Sequence, residues 1–302
     1  MNNCGLRAQI EKMKEQTKAV ILSHYYQRPE IQDIADYVGD SFGLSQQAAQ
    51  TDADVIVFCG VRFMAEVAAI LSPGKTVLLP EPEAGCPMAD TAAVEGLRRL
   101  KKEHPQAAVV SYVNTSAAIK AESDICCTSA NVLKVVNSLP QAKIIFVPDR
   151  NMGQFVAART DKEIILWHGY CYAHDGLRAE DIRKATQAHP QALVMVHPEC
   201  RSEVAAIADY VTGTTGMLKI ARSAEAKTFI VGTEIGLEHA LKKAAPEKSF
   251  IFPDPNLFCS NMKLTTLDKV ANSLKTLAPQ VSVPGDVAEG AWLALERMLA
   301  VQ

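Results

Sequence analysis

The chain repeats itself. Ile-Ala-Asp-Tyr-Val stands at 34–38 and recurs letter for letter at 207–211, and His-Pro-Gln-Ala stands at 104–107 and at 189–192. The first pair lies 173 residues apart and the second 85, so the longer interval reads as two repeats. A middle copy is then expected 88 residues after the first, where Ser123-Asp124-Ile125-Cys126 aligns Asp124 with Asp36 and Asp209. Three related units within 302 residues leave each one the size of a small domain, which restricts the fold to a triplicated architecture.

The units share one order of elements. Each opens with an apolar run (20–24, 109–112, 193–197), followed by a short helix that begins at Pro29 in the first unit and takes Ser202 as N-cap in the third. The Asp-containing segment comes next, then a hydroxyl-bearing turn and a helix. A second run (55–58, 144–147, 228–231) and, after another helix, a third (76–79, 164–167, 249–252) complete the unit. The runs are continuously apolar rather than alternating, as in parallel strands covered on both faces. The expectation is an α/β fold of three homologous three-layer α/β/α domains with short parallel sheets around a pseudo-threefold axis. Boundaries are set at 1–104, 105–189 and 190–302, with a C-terminal helix that buries Val287, Ala291, Leu295 and Met298.

Eight cysteines then divide. Cys86, Cys171 and Cys259 each follow the third strand of a unit, at intervals of 85 and 88, whereas Cys4, Cys59, Cys126, Cys127 and Cys200 lack a threefold echo and read as small packed hydrophobes. No Cys-x-x-Cys pair occurs, which removes zinc-ribbon and thioredoxin-like readings. Positions beyond the C-terminal ends of parallel strands are where such folds hold ligands, so the three repeating thiols are expected to converge as metal ligands. Three thiolates suit an iron–sulfur cluster with one open iron or a zinc ion, and packed thiols without metal are the third possibility.

Polar residues recur at the same mouth. Ser41, Ser129 and Thr214 each stand at the start of a helix-like stretch, where free N–H groups and the helix dipole would receive carboxylate or phosphate. The first strands run out into His24-Tyr25-Tyr26-Gln27, Tyr112-Val113-Asn114 and His197-Pro198-Glu199, which bring acid–base side chains there. A net charge of −3 without basic blocks argues against nucleic-acid binding. No apolar run is long enough to span a membrane, and the polar N-terminus lacks a signal-peptide core; a cytoplasmic location is expected.

A series of motifs carries a resemblance: His24-x-Tyr26-Gln27, Gly39-Asp40-Ser41, Cys86-Pro87-Met88-Ala89, Tyr112-Val113-Asn114, Cys127-Thr128-Ser129-Ala130-Asn131, Pro148-Asp149-Arg150-Asn151, His197-Pro198-Glu199-Cys200, Gly232-Thr233-Glu234 and Cys259-x-Asn261-Met262-Lys263. In this order and spacing they resemble the quinolinate synthase family. The resemblance implies a transferase of pyridine-nucleotide (NAD) biosynthesis that condenses iminoaspartate with dihydroxyacetone phosphate to quinolinate, losing phosphate and water. It implies a [4Fe–4S] cluster on Cys86, Cys171 and Cys259, whose open iron acts as a Lewis acid. Tyr26 and Glu199 would then transfer protons, with His197 orienting or sharing that work. His24, Ser41, Tyr112, Val113, Asn114, Ser129, His197, Pro198, Glu199 and Thr214 would surround the substrate. An L-aspartate oxidase or dehydrogenase would supply the imine. Position 25 is tyrosine where many members carry asparagine, and no cysteine follows Cys259 to form the redox pair of some members. Two rivals use the same thiols: a zinc-dependent phosphate-sugar aldolase, to which His174 and Asp175 would contribute ligands, and a non-catalytic redox sensor.

Overall fold

A computed structural model describes residues 3–301, with side chains from Gly5 onward, so the reading of Cys4 lies outside the described residues. Three separate four-stranded sheets follow one another along the chain. The first is built from β1 (Ala19–His24), β2 (Tyr37–Gly39), β3 (Val55–Cys59) and β4 (Thr76–Leu78). The second is built from β5 (Ala108–Tyr112), β6 (Ile125–Cys127), β7 (Lys143–Val147) and β8 (Glu163–Leu166), and the third from β9 (Leu193–Val196), β10 (Tyr210–Val211), β11 (Thr228–Gly232) and β12 (Ser249–Ile251). Each sheet has the order 2-1-3-4 and is parallel throughout, so the α/β class and the triplication hold. Every residue of β3 and β5 is buried, which explains why the apolar runs do not alternate.

The sequence reading missed one strand per unit, the short edge strand at the repeated Asp. The repeat itself explains why that Asp recurs. Asp36, Asp124 and Asp209 each accept the N–H of Ile21, Val109 and Val194 through Oδ2, at 2.8, 2.7 and 2.7 Å. Their own N–H groups return to the carbonyls of the same three residues at 2.9, 3.0 and 2.9 Å. This two-way clasp sets the edge strand beside the central one. A second triplet was also overlooked. Lys75, Lys162 and Lys248 each direct Nζ to two carbonyls at or just beyond the end of the helix that precedes the second central strand of the unit (Ser41–Gln50, Val132–Ser138 and Thr214–Ser223), at 2.5–2.7 Å, where helix C-termini favour a cation.

The short helices begin at Pro29, as expected, and at Ser202, although Arg201 rather than Ser202 takes the N-cap position. The C-terminal helix, Gly285–Ala300, buries Ala291, Leu295 and Met298 completely. It belongs to one continuous apolar core with one face of both the first and the second sheets, whose other faces pack into separate cores, whereas both faces of the third sheet pack into cores outside the shared one. Contacts between the third unit and the first are both apolar and polar: the helix Leu267–Thr276 buries Leu267, Val270 and Leu274 in one core with Ile21, Val57 and Leu78, while Gln32 Nε2 donates to the Gly236 carbonyl at 3.0 Å and Arg28 Nε to that of Lys263 at 2.8 Å. Among the described residues, no helix is long and apolar enough to cross a membrane.

Candidate active site

In a 2-1-3-4 sheet the chain reverses direction of winding between the first and second central strands, which leaves a crevice at their C-terminal ends. The three crevices open onto one cavity, lined by Cys86, Cys171 and Cys259 together. The first two cysteines occupy N-cap positions of the short helices Pro87–Asp90 and Tyr172–Gly176, and Cys259 precedes the short 3-10 helix Met262–Leu264. Burial pushes the Cys86 thiol up to about 12, with Cys259 among the neighbours adding to it, and lifts Cys171 and Cys259 as well. Cys59, Cys126, Cys127 and Cys200, which lack the threefold echo, are all buried free thiols.

Of the residues singled out in the sequence, His24, Tyr26, Ser41, Tyr112, Asn114, Ser129, His197, Glu199 and Thr214 also line this cavity. Val113 and Pro198 do not: both are buried, Val113 as part of the apolar core with its N–H on the Cys127 carbonyl at 2.8 Å. Tyr25 packs against the core of the third unit instead. None of the three hydroxyls serves as the N-cap of its helix. Ser41 and Thr214 are the first residues of Ser41–Gln50 and Thr214–Ser223, and Ser129 lies in the turn three residues before Val132–Ser138. The cap of the first is Asp40, whose Oδ1 accepts the Gly43 N–H at 2.8 Å, so the hydroxyl of Ser41 is not spent on capping.

A chain of hydrogen bonds crosses the polar wall. Tyr26 Oη lies 2.6 Å from Thr233 Oγ1, and Thr233 Oγ1 lies 2.9 Å from His174 Nε2. His174 Nδ1 is 2.8 Å from Glu199 Oε2, and Tyr112 Oη donates to Glu199 Oε1 at 2.6 Å. With the proton assigned to Nδ1 of His174, each donor in this series meets an acceptor, from the Tyr26 phenol to the Glu199 carboxylate. His197 stacks on His174 with centroids 4.7 Å apart, and its Nδ1 accepts the Glu199 N–H at 3.3 Å. The sequence reading placed Tyr26 and Glu199 in one role but left out Thr233, and it gave His174 only to the zinc rival. The Cys-x-x-His spacing at 171–174 is the signal that could have found His174, because three residues on a helix bring side chains to one face.

Electrostatics set the protonation states. Burial, with Lys263 adding to it, lowers His24 to about 3, and burial lowers His197 to about 3, so both rings are neutral at pH 7. Burial pushes Glu199 upward, but His197, His174 and the hydrogen bonds from His174 and Tyr112 outweigh it and hold the carboxyl below the usual range. Burial raises both Tyr26 and Tyr112 well above the ordinary phenol value, Glu199 adding to each, so both keep their protons.

The turn beside each cysteine is also built three times. Arg62, Arg150 and Ile235 donate their N–H groups to the carbonyls of Ala84, Gly169 and Leu257, each at 2.8 Å and each two residues before the cysteine. The preceding residue is Val61, Asp149 or Glu234. Asp149 Oδ2 accepts the Cys171 N–H at 3.3 Å and Glu234 Oε1 that of Cys259 at 3.1 Å. Val61 has no such acceptor to offer Cys86. Phe63, Met64 and Met88 make this side of the cavity apolar.

A family model described as Quinolinate synthetase A protein matches residues 8–300. Among curated proteins, the chain is 55% identical over 302 residues to Quinolinate synthase 1 of Methanosarcina acetivorans, covering 100% of this chain and 99% of that protein. It is 54% identical over 297 residues to the Quinolinate synthase of Desulforudis audaxviator, covering 98% of each. With that of Geobacter metallireducens it shares 54% over 296 residues, 98% of this chain and 97% of the relative.

Proposed function

The chain belongs to the quinolinate synthase family, carbon–carbon bond-forming enzymes of NAD biosynthesis that act on small molecules, and from that premise we propose its reaction and the residues that carry it. It condenses iminoaspartate with dihydroxyacetone phosphate to quinolinate, releasing phosphate and water, in the cavity where the three sheets meet. The observation that carries this reading is the convergence of Cys86, Cys171 and Cys259, one from each unit, on a cavity that also holds the Tyr26–Glu199 chain. The units themselves are taken as 1–104, 105–189 and 190–302.

The donor set fits a [4Fe–4S] cluster. Cys171, His174 and Glu199 form the group, among the described residues, whose ligand atoms all lie within 4.8 Å of one another, and Cys86 and Cys259 stand outside it. Zinc–sulfur bonds of about 2.3 Å require thiolates roughly 4 Å apart, so three cysteines spread more widely around one cavity suit a polynuclear group. Half-buried thiols lifted above their ordinary range by desolvation also need a cation beside them to ionise. When bound, the cluster supplies an iron without a cysteine ligand, which polarises substrate oxygens.

The chain's own residues do the rest. Ser41 and Thr214 offer hydroxyls beside the free N–H groups of their helix starts, and Ser129 and Asn114 complete the polar lining that receives carboxylate and phosphate. Neutral His24 and His197 give hydrogen bonds without adding charge, and His197 holds the Glu199 backbone in place. Glu199 takes a proton from the substrate, and the Tyr26–Thr233–His174 series, whose donors all point toward Glu199, holds that carboxylate ionised beforehand and offers a path by which Tyr26 sends a proton toward it. The apolar side made by Phe63, Met64 and Met88 limits water at the reacting carbons, which protects an imine from hydrolysis. An L-aspartate oxidase or dehydrogenase, expected with this chain in the cytoplasm, would supply the labile imine.

The test is anaerobic purification with assay of iron, sulfide and zinc, and spectra before and after Cys171→Ala. Wild-type protein with stoichiometric zinc and neither iron nor sulfide would sink the cluster and favour a single ion at Cys171, His174 and Glu199. Glu199→Gln should keep the cluster spectrum and lower quinolinate formation about 10²–10⁴-fold; full activity would remove Glu199 from proton transfer.

A further inference from the structure

Glu234 and Lys263 lie outside the proton chain, yet they touch both ends of the site. Glu234 is fully buried and Lys263 nearly so. Lys263 Nζ lies 2.9 and 3.0 Å from the two oxygens of Glu234 and also donates to the backbone carbonyl of Tyr26. The same carboxylate accepts the Cys259 N–H at 3.1 Å and the Gly236 N–H at 2.7 Å. Two residues of the third unit thus grip the first unit at Tyr26 and a cysteine of the third at once.

The packing around this pair is tight. A Cβ built on Gly236 would stand 2.6 Å from Lys263 Nζ, 2.7 Å from Glu234 Oε2 and 2.8 Å from the Tyr26 carbonyl carbon. Only glycine fits at that point of close approach. Tyr26 is meanwhile held at its other end, its phenol oxygen 2.6 Å from Thr233, the residue next to Glu234. Asp149 provides the internal contrast: it takes the Cys171 N–H and caps Arg150–Ala157 through the Met152 N–H at 2.8 Å, but among the described residues it has no ion pair with a lysine and no hydrogen bond to a tyrosine.

We propose that Glu234 and Lys263 form a positioning pair that locks the Cys259 segment to the backbone of Tyr26, so that the metal-holding and proton-carrying halves of the site keep one geometry. The pair is buried and mutually satisfied, and removing one member leaves the other a desolvated charge, so its geometry is held firmly. The inference rests on the function proposed above.

The experiment uses full-length protein loaded anaerobically with cluster. Initial iron release to excess ferrous chelator reports on the Cys259 side, and kcat and KM per cluster report on the Tyr26 side. For Lys263→Met, kcat per cluster should fall about tenfold with KM and iron release each within about twofold of wild type, the signature of lost transition-state alignment. For Glu234→Gln the same loss should come with iron release about fivefold faster or more, because both grips are weakened. If Lys263→Met does not fold, Lys263→Gln keeps a polar stem and is read the same way. Wild-type kcat in the lysine variants, a fall explained by KM alone, or unchanged iron release in Glu234→Gln overturns the pairing. Wild-type protein that takes up no iron and sulfide ends the functional reading and this inference with it, whereas a loaded wild type with unaffected variants ends this inference only.

Discussion

The first unit and its two companions build the same turn beside the cysteine and fill it with opposite chemistry. In all three the backbone bond across the turn is 2.8 Å long, yet the side chain there is Val61 in one and a buried carboxylate, Asp149 or Glu234, in the others. The lesson is that triplication preserves what the main chain needs and releases what it does not. The clasping aspartates and the helix-capping lysines persist three times because every sheet must bind its edge strand and end its helix. The turn residue is free to diverge, since its backbone bond does not depend on its side chain. Divergence is what gives a pseudo-symmetric cavity one apolar wall, at Phe63, Met64 and Met88, and one polar wall, at His174 and Glu199.

The sharpest way to break this contrast is to equalise it. Asp149→Val makes the second mouth a copy of the first, removing both a helix cap and the acceptor for Cys171. It should lower stability by about 1–3 kcal/mol and speed iron release from the loaded protein, as measured by denaturant unfolding and chelator assay. Unchanged values for both would mean that the carboxylate does nothing there that valine cannot.

The preserved features should behave in the opposite way, alike in all units. Asp36→Ala, Asp124→Ala and Asp209→Ala each remove the side-chain half of one clasp at the surface edge of a sheet, and Asp36→Ala also breaks an ion pair with Lys14 at 2.9 Å. Each should cost about 0.5–1.5 kcal/mol, with Asp124 and Asp209 agreeing within roughly 0.5 kcal/mol and Asp36 exceeding them by no more than an exposed ion pair contributes. A gap of more than about 1 kcal/mol between Asp124 and Asp209 would show that the repeat is no longer equivalent at this level.

The smallest effect is expected at the contact between the first and third units, where Asp33 lies 2.8 Å from His239 Nε2 and also meets Lys243. Burial pushes Asp33 up, but the hydrogen bonds from Lys243 and His239 outweigh it and lower the carboxyl to about 2. A depressed carboxyl lends stability above its unfolded value and loses it as pH falls through the folded one. Asp33→Asn should therefore cost up to about 1 kcal/mol near pH 7, and its difference from wild type should close between about pH 4 and pH 2. A constant difference across that range would exclude the carboxylate as its source.

Much of this arrangement was legible in the residues, for physical reasons. Continuous apolar runs such as 55–58 can hardly be anything but covered strands, and the exact recurrence of the 34–38 string forces the triplication that singles out three cysteines of eight. The edge strands at Tyr37–Gly39, Ile125–Cys127 and Tyr210–Val211 were not legible because two or three residues are too few to show a period. Lys75, Lys162 and Lys248 hid among 31 basic residues, with different neighbours at each copy. Thr233, Asp149 and Glu234 could be quoted within motifs but not assigned, because their work depends on partners more than 20 residues away in the chain. Val113 and Pro198 show the converse: adjacency in sequence to a cavity-lining residue does not turn a side chain toward the cavity.

The apolar core shared by the first two sheets and the C-terminal helix has a consequence for how the molecule opens. Sheets joined through one dry interior exchange their protected amide hydrogens only when the whole interior is breached, while a sheet with its own cores can come apart alone. The clasped amides of Ile21, Val109 and Val194 are matched reporters of those events. Hydrogen exchange should thus count two cooperative blocks in a chain whose sequence counts three, with Ile21 and Val109 exchanging together and Val194 on its own schedule.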